Sequence, residues 1–287
     1  MKKEINQPVF TRLLMLWNKK YNKRLMPWKG EKDPYKIWVS EIILQQTRVE
    51  QGLDYYLRFI KKYPTVKKLA AAADNEVFKI WEGLGYYSRC KNLLEAARFI
   101  VDMHKGKFPE SYQTILELKG VGPYTAAAIA SFAYNLPHAV VDGNVNRVLA
   151  RFFGITTPID STIGKHQFNE LAMLVLDSNN AGLYNQAIMD FGATFCKPQQ
   201  PLCAVCIMRC DCRAYAEDRV NVLPVKEKKI LKKNRWFYYI IAEYENMFLV
   251  RKRTGKDIWH NLHEFILVET KTHQSPEQVV ESEKFKA

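Results

Sequence analysis

Along residues 34–44 the apolar side chains Tyr35, Trp38, Val39, Ile42 and Ile43 recur at the spacing of one helix face. Phe10, Leu13, Leu14 and Trp17 form a similar stripe, and Val145, Val148, Leu149, Phe152 and Phe153 form a third. Gly, Pro and Asn/Asp separate the stripes, so residues 1 to about 220 read as an all-helical domain without internal repeats. The pattern changes at KEKKILKKNR, residues 226–235, which reads as a solvated basic linker with phosphate contact as a second reading. After it, WFYYIIAEY and MFLVRKR flank Glu245-Asn246 and predict a β-hairpin; EFILVE is a third strand and Ser275-Pro276 opens a helix. So few strands bury little core, and this tail is expected to be incomplete as an independent domain.

Composition adds a partner class. Of the 287 residues, 43 are Lys or Arg against 30 Asp or Glu, a net charge of +13, which favours a polyanion such as nucleic acid. Thr11, Arg12 and Asn18 interrupt the N-terminal apolar run, so it is not a signal peptide; no stretch is long and apolar enough to span a bilayer. The expected setting is cytoplasmic and nucleoid-associated, where reduced cysteines signal metal more often than disulfides.

Cys196, Cys203, Cys206 and Cys212 follow a C-x6-C-x2-C-x5-C spacing in one short polar loop. Four thiolates so placed can converge on a metal centre, and a single x2 spacing favours a 4Fe–4S cluster over a zinc ribbon. Cys210 lies within the loop as a competing ligand, and Cys90 reads as a buried structural thiol.

Upstream, LKGVGPYTAAAI sets Gly120, Val121 and Gly122 before an Ala-rich helix. Such a turn can offer backbone N–H groups to a phosphate, as a helix-hairpin-helix does. The competing reading is a dinucleotide fingerprint with Asp142 ending the strand-like HAVVD, but Thr125 stands where its third glycine belongs.

Two carboxylates complete the picture. Asp33-Pro34 predicts the start of the helix carrying WVSEIILQQT, and Glu41, Gln45 and Arg48 are expected along the border of its buried face. Asp142 precedes GNVNRVL; it reads as an N-cap, or as a fixed negative charge held at a helix N-terminus beside a cleft. A proton-bearing Glu with an ionised Asp is the division of labour that cleaves a glycosidic bond.

WVSEIILQQT, GLGYYSR (83–89), LKGVGPYTAAAI, VVDGNV, NQAIMDFGA (185–193) and the cysteine loop together resemble the MutY family, adenine DNA glycosylases of the helix-hairpin-helix, Gly-Pro-Asp superfamily. The resemblance covers roughly residues 8 to 224. It implies an all-α fold of two helical subdomains: a six-helix barrel at 29–137, and an iron–sulfur subdomain of 1–28 with 138–224. A basic linker, 225–235, then leads to a partial, β-rich MutT-like segment, 236–287.

By this resemblance Glu41 protonates an extruded adenine, Asp142 stabilises the sugar cation, and Tyr124 and Asn144 line the site. Gln46 and Tyr86 wedge the duplex, Gly120 to Gly122 grip its backbone, and Cys212 rather than Cys210 completes the set holding a 4Fe–4S cluster. The implied partner of this monomer is double-stranded DNA with adenine opposite 8-oxoguanine or guanine. Tyr124 stands where the endonuclease III branch has its Schiff-base lysine, so a monofunctional glycosylase is implied. The alternatives are an endonuclease III-like glycosylase/lyase for oxidised pyrimidines, a non-catalytic iron–sulfur DNA-binding or redox module, and, more remotely, a dinucleotide-binding oxidoreductase.

Overall fold

The helices begin and end where capping chemistry allows. A computed structural model describes residues 7–227, 234–255, 259, 262–282 and 285. Its helices are α1 (Gln7–Tyr21), α2 (Pro34–Leu44), α3 (Val49–Lys62), α4 (Val66–Ala70), α5 (Asp74–Trp81), α6 (Tyr87–His104), α7 (Tyr112–Leu116), α8 (Pro123–Tyr134), α9 (Gly143–Phe153), α10 (Thr162–Leu174), α11 (Ala181–Thr194) and α12 (Arg213–Ala216). The Asp33 carboxylate accepts the Tyr35 N–H and Pro34 occupies the first turn of α2, as predicted. At the C-terminus of α9, Gly154 closes the helix in the left-handed conformation.

Packing separates the helices into two neighbourhoods. α2 packs on α3 and α8, and α7 on α8; Trp38 meets Phe108 and Phe59 meets Trp81 edge-on. In the second, α9 packs on α10, α11 and α12 while α1 returns to α11. Phe10 there contacts Phe152, and Trp17 contacts Phe191. Each large side chain buried this way contributes roughly 2 kcal/mol of transfer free energy. α8 also packs on α11, joining the two.

Two local expectations change. The stripe Glu41, Gln45, Arg48 does not run along one helix, because α2 ends at Leu44, Gln46 turns left-handed at φ 56°, and Arg48 caps α3. HAVVD is extended but forms no strand: the Val140 N–H goes to the Asn185 side-chain carbonyl at 3.2 Å, and a group bonded to a side chain builds no ladder. The Gly-Val-Gly turn joins α7 to α8, as the helix-hairpin-helix reading expects.

The chain divides into two compact units, one reaching Leu84 and resuming from Arg89 to Lys228, the other Gly85–Ser88 with Lys229–Ala287. The second unit holds β1 (Trp236–Ile240), β2 (Glu243–Tyr244), β3 (Met247–Phe248), β4 (Arg251–Lys252), β5 (His263–Glu264), β6 (Ile266–Thr270) and α13 (Pro276–Glu281). Glu245 and Asn246, both at positive φ, close the expected hairpin between β2 and β3. β1 does not continue that hairpin but pairs antiparallel with β6, Trp236 opposite Thr270, burying Val268. Residues 228–233 of the basic stretch, and 256–258, 260 and 261, lie outside the described residues.

Candidate active site

α2 is apolar on nearly all sides, and its one acid, Glu41, is only 8 % exposed. Burial raises its pKa to about 7; the neighbouring Tyr124 phenol opposes the rise, and the negative charge of Asp142 adds to it. The carboxyl therefore holds its proton to much higher pH than an exposed glutamate does. Tyr124 stands in the first turn of α8, directly after the Gly-Val-Gly turn. Burial, then the charges of Glu41 and Asp142, push its phenol well above the ordinary range, so it stays a neutral O–H donor.

Asp142 is the N-cap of α9, as one of its sequence readings expects. One oxygen caps α9 by accepting the Val145 N–H at 2.8 Å, and the other accepts Asn144 Nδ2 at 2.7 Å. Asn144 in turn accepts Arg147 Nη2 at 2.8 Å, and that guanidinium also donates to the carbonyls of Gly192 and Cys196, each at 2.8 Å. A Cβ at Gly192 would lie 2.7 Å from that of Asn144, so glycine is what lets α11 approach here. The extended segment leading to Asp142 is held by the fully buried Asn185, which donates to Ser131 Oγ at 2.9 Å and the His138 carbonyl at 2.8 Å.

Glu41, Tyr124, Asp142 and Asn144 line one cavity of about 570 Å³, within the usual range of small-molecule sites. Its far wall was not anticipated from sequence. Arg24, Lys29 and Gln186 line it, all tied to Asp190, which is completely buried. Arg24 Nη1 and Gln186 Nε2 reach Asp190 Oδ1 at 3.0 Å each, and Lys29 Nζ reaches Oδ2 at 2.8 Å. The readable signal was the lone acid inside the apolar NQAIMDFGA helix, since a buried charge requires partners.

The remaining predicted residues lie at turns. Gln46 and Tyr86 are exposed and both left-handed, at φ 56° and 50°, a conformation uncommon for residues other than glycine. Gly120 needs its φ of 79°, and a Cβ there would press on Asn92. The Val121 N–H is bonded to the Leu118 carbonyl at 3.0 Å and its side chain is buried. Gly120 and Gly122 have N–H groups without a hydrogen-bond partner among the described residues.

Cys196, Cys203, Cys206 and Cys212 line one small cavity, whereas Cys210 is exposed; none forms a disulfide. Burial pushes the Cys206 thiol up to about 12, and Cys203 and Cys212 rise for the same reason, with neighbouring cysteines adding to each. Buried Arg151 orders the loop by donating to the carbonyls of Lys197, Pro198 and Leu223. Among the described residues, no group of three or more His, Cys, Asp or Glu side chains is arranged to hold a single metal ion.

Residues 39–172 match the family described as HhH-GPD superfamily base excision DNA repair protein. The chain is 36% identical over 265 residues to the adenine DNA glycosylase of Buchnera aphidicola subsp. Schizaphis graminum (strain Sg), covering 92% of this chain and 76% of that protein. It is 43% identical over 201 residues to the adenine DNA glycosylase of Homo sapiens, covering 67% of this chain and 37% of that protein. Among solved structures, a thermostable thymine-DNA glycosylase superposes with a TM-score of 0.67 at 31% identity, over 74% of this chain and 97% of that one. A non-covalent endonuclease III–DNA complex superposes with a TM-score of 0.63 at 20% identity, over 75% and 98%, which shows the shared fold.

Proposed function

Because the chain belongs to the adenine DNA glycosylase family of HhH-GPD base excision repair proteins, we propose that its substrate is adenine opposite 8-oxoguanine or guanine in duplex DNA. The observation that carries the chemistry is Glu41 poised near pH 7 in a cavity shared with Asp142. An adenine extruded from the stack enters that cavity. Glu41 donates its proton to the base, the glycosidic bond breaks, and Asp142 faces the cationic sugar left behind. Water completes the hydrolysis and an abasic site remains. Tyr124 is a phenol and forms no Schiff base, which supports monofunctional chemistry over the endonuclease III-like alternative.

Gln46 and Tyr86 fit wedges that keep the stack open, as exposed side chains at the tips of left-handed turns. The unpartnered N–H groups of Gly120 and Gly122 suit a phosphate. Residues 29–137 serve as the barrel, 1–28 with 138–224 as the cluster subdomain, and 236–287 as part of a MutT-like domain. Cys196, Cys203, Cys206 and Cys212 fit a 4Fe–4S cluster: four partly buried thiols of one short loop line one small cavity. When bound, the cluster supplies thiolate-anchored rigidity and charge to this basic loop.

The reading is tested by incubating the chain with duplexes carrying adenine opposite 8-oxoguanine, guanine or thymine. Expected is free adenine from the first two and strand scission only after alkali. Scission without alkali, with a borohydride-trapped adduct, would instead favour the lyase.

A further inference from the structure

The end of α2 is closed only in part by its own residues. The Gln45 N–H reaches the Ile42 carbonyl at 3.4 Å, the Thr47 N–H the Leu44 carbonyl at 3.2 Å and the Thr47 hydroxyl the Gln45 carbonyl at 3.4 Å, and the chain must reverse direction before α3. Arg89 adds to these long bonds from α6. Its guanidinium is buried, 9 % exposed, and Nη1 donates to the Ile42 and Ile43 carbonyls at 3.0 Å each and to the Gln45 carbonyl, while both terminal nitrogens reach Thr47 Oγ1 at 3.5 Å. Its flat face lies 5.5 Å from the centre of the buried Trp81 ring. The acceptors bracket Gln46, the exposed residue whose backbone is left-handed. That conformation is uncommon for a side chain such as glutamine, and a cation bonded on both sides of it fixes the turn when a wedge meets stacked bases.

We propose that Arg89 is a positioning residue for base extrusion: it clamps the C-terminus of α2 and holds the turn that projects Gln46, without touching the substrate. This rests on Gln46 acting as a wedge. The clamp acts on the energy of opening the duplex and not on the acid, since the groups that set Glu41 are burial, Tyr124 and Asp142. Lysine replaces the fork with a point charge and reaches fewer carbonyls at once.

The test uses the full chain and two duplexes with adenine opposite 8-oxoguanine, one intact and one with the target already unstacked by a neighbouring tetrahydrofuran abasic analogue. The substrate then supplies the unstacking in advance. Arg89→Met is expected to slow single-turnover release about tenfold on the intact duplex and less than about threefold on the unstacked one, with the midpoint of the pH profile unmoved. Gln46→Ala should show the same selectivity, and Arg89→Lys should fall between. Arg89→Gln, which keeps one donor, serves if Arg89→Met does not fold. Equal slowing on both duplexes by the Arg89 variants, while Gln46→Ala stays selective, overturns the clamp. Loss of selectivity in Gln46→Ala overturns the wedge and the clamp with it.

Discussion

Glu41 and Asp142 face one cavity from α2 and α9, and the two helices treat their carboxylates in opposite ways. α2 surrounds Glu41 with apolar neighbours, so the protonated form gains, and the Tyr124 phenol of α8 only partly offsets that gain. α9 gives Asp142 a backbone N–H and an amide N–H from its own first turn, donors that suit an acceptor-only carboxylate. The same functional group is thus kept from water on one wall and supplied with donors on the other. The difference is made by solvent exclusion against hydrogen-bond supply, not by the choice of residue.

The comparison breaks most sharply if either wall is neutralised. Glu41→Gln keeps shape and removes the proton, and should slow adenine release by about 10³-fold or more while leaving duplex binding intact. Asp142→Asn should cost about 10²- to 10³-fold through the lost charge. Because asparagine also caps helices well, its melting temperature should stay close to that of the parent. A drop in rate under tenfold for either variant, in single-turnover assays, removes that residue from its role.

A smaller effect appears in the pH profile. The active form is protonated Glu41, so the rate should fall tenfold per unit as pH rises above about 7. Tyr124 holds that value down, so Tyr124→Phe should carry the alkaline limb to higher pH. A limb that stays put or moves lower would show that the phenol does not bond the acid.

The smallest effect concerns the wall of α9. Arg147→Met leaves Asp142 its Val145 donor but frees Asn144, and should slow release by roughly tenfold with the pH midpoint unchanged. An unchanged rate would mean that Asn144 is placed by packing on Gly192 alone.

Much of this was legible along the chain, because caps and helical stripes are written in contiguous residues. Asp33-Pro34 placed the start of α2, Asp142 placed the start of α9, and Glu245-Asn246 placed a two-residue turn. Glu41, Tyr124, Asp142 and Asn144, named from motifs, do line one cavity. The helical stripe extended through Gln45 to Arg48 failed, since no local signal announces a left-handed glutamine held by a guanidinium more than 40 residues away.

Residue order was enough to mark the all-helical class, the starts of α2 and α9, and a nucleic-acid partner class. The raised pKa of Glu41 is a product of packing, as are the polar wall that Arg24, Lys29 and Gln186 build on Asp190 and the exposure that separates Cys210 from the other four loop cysteines. Each of these depends on how much water and which donors reach a side chain, and those are set by segments distant in sequence that the fold brings together.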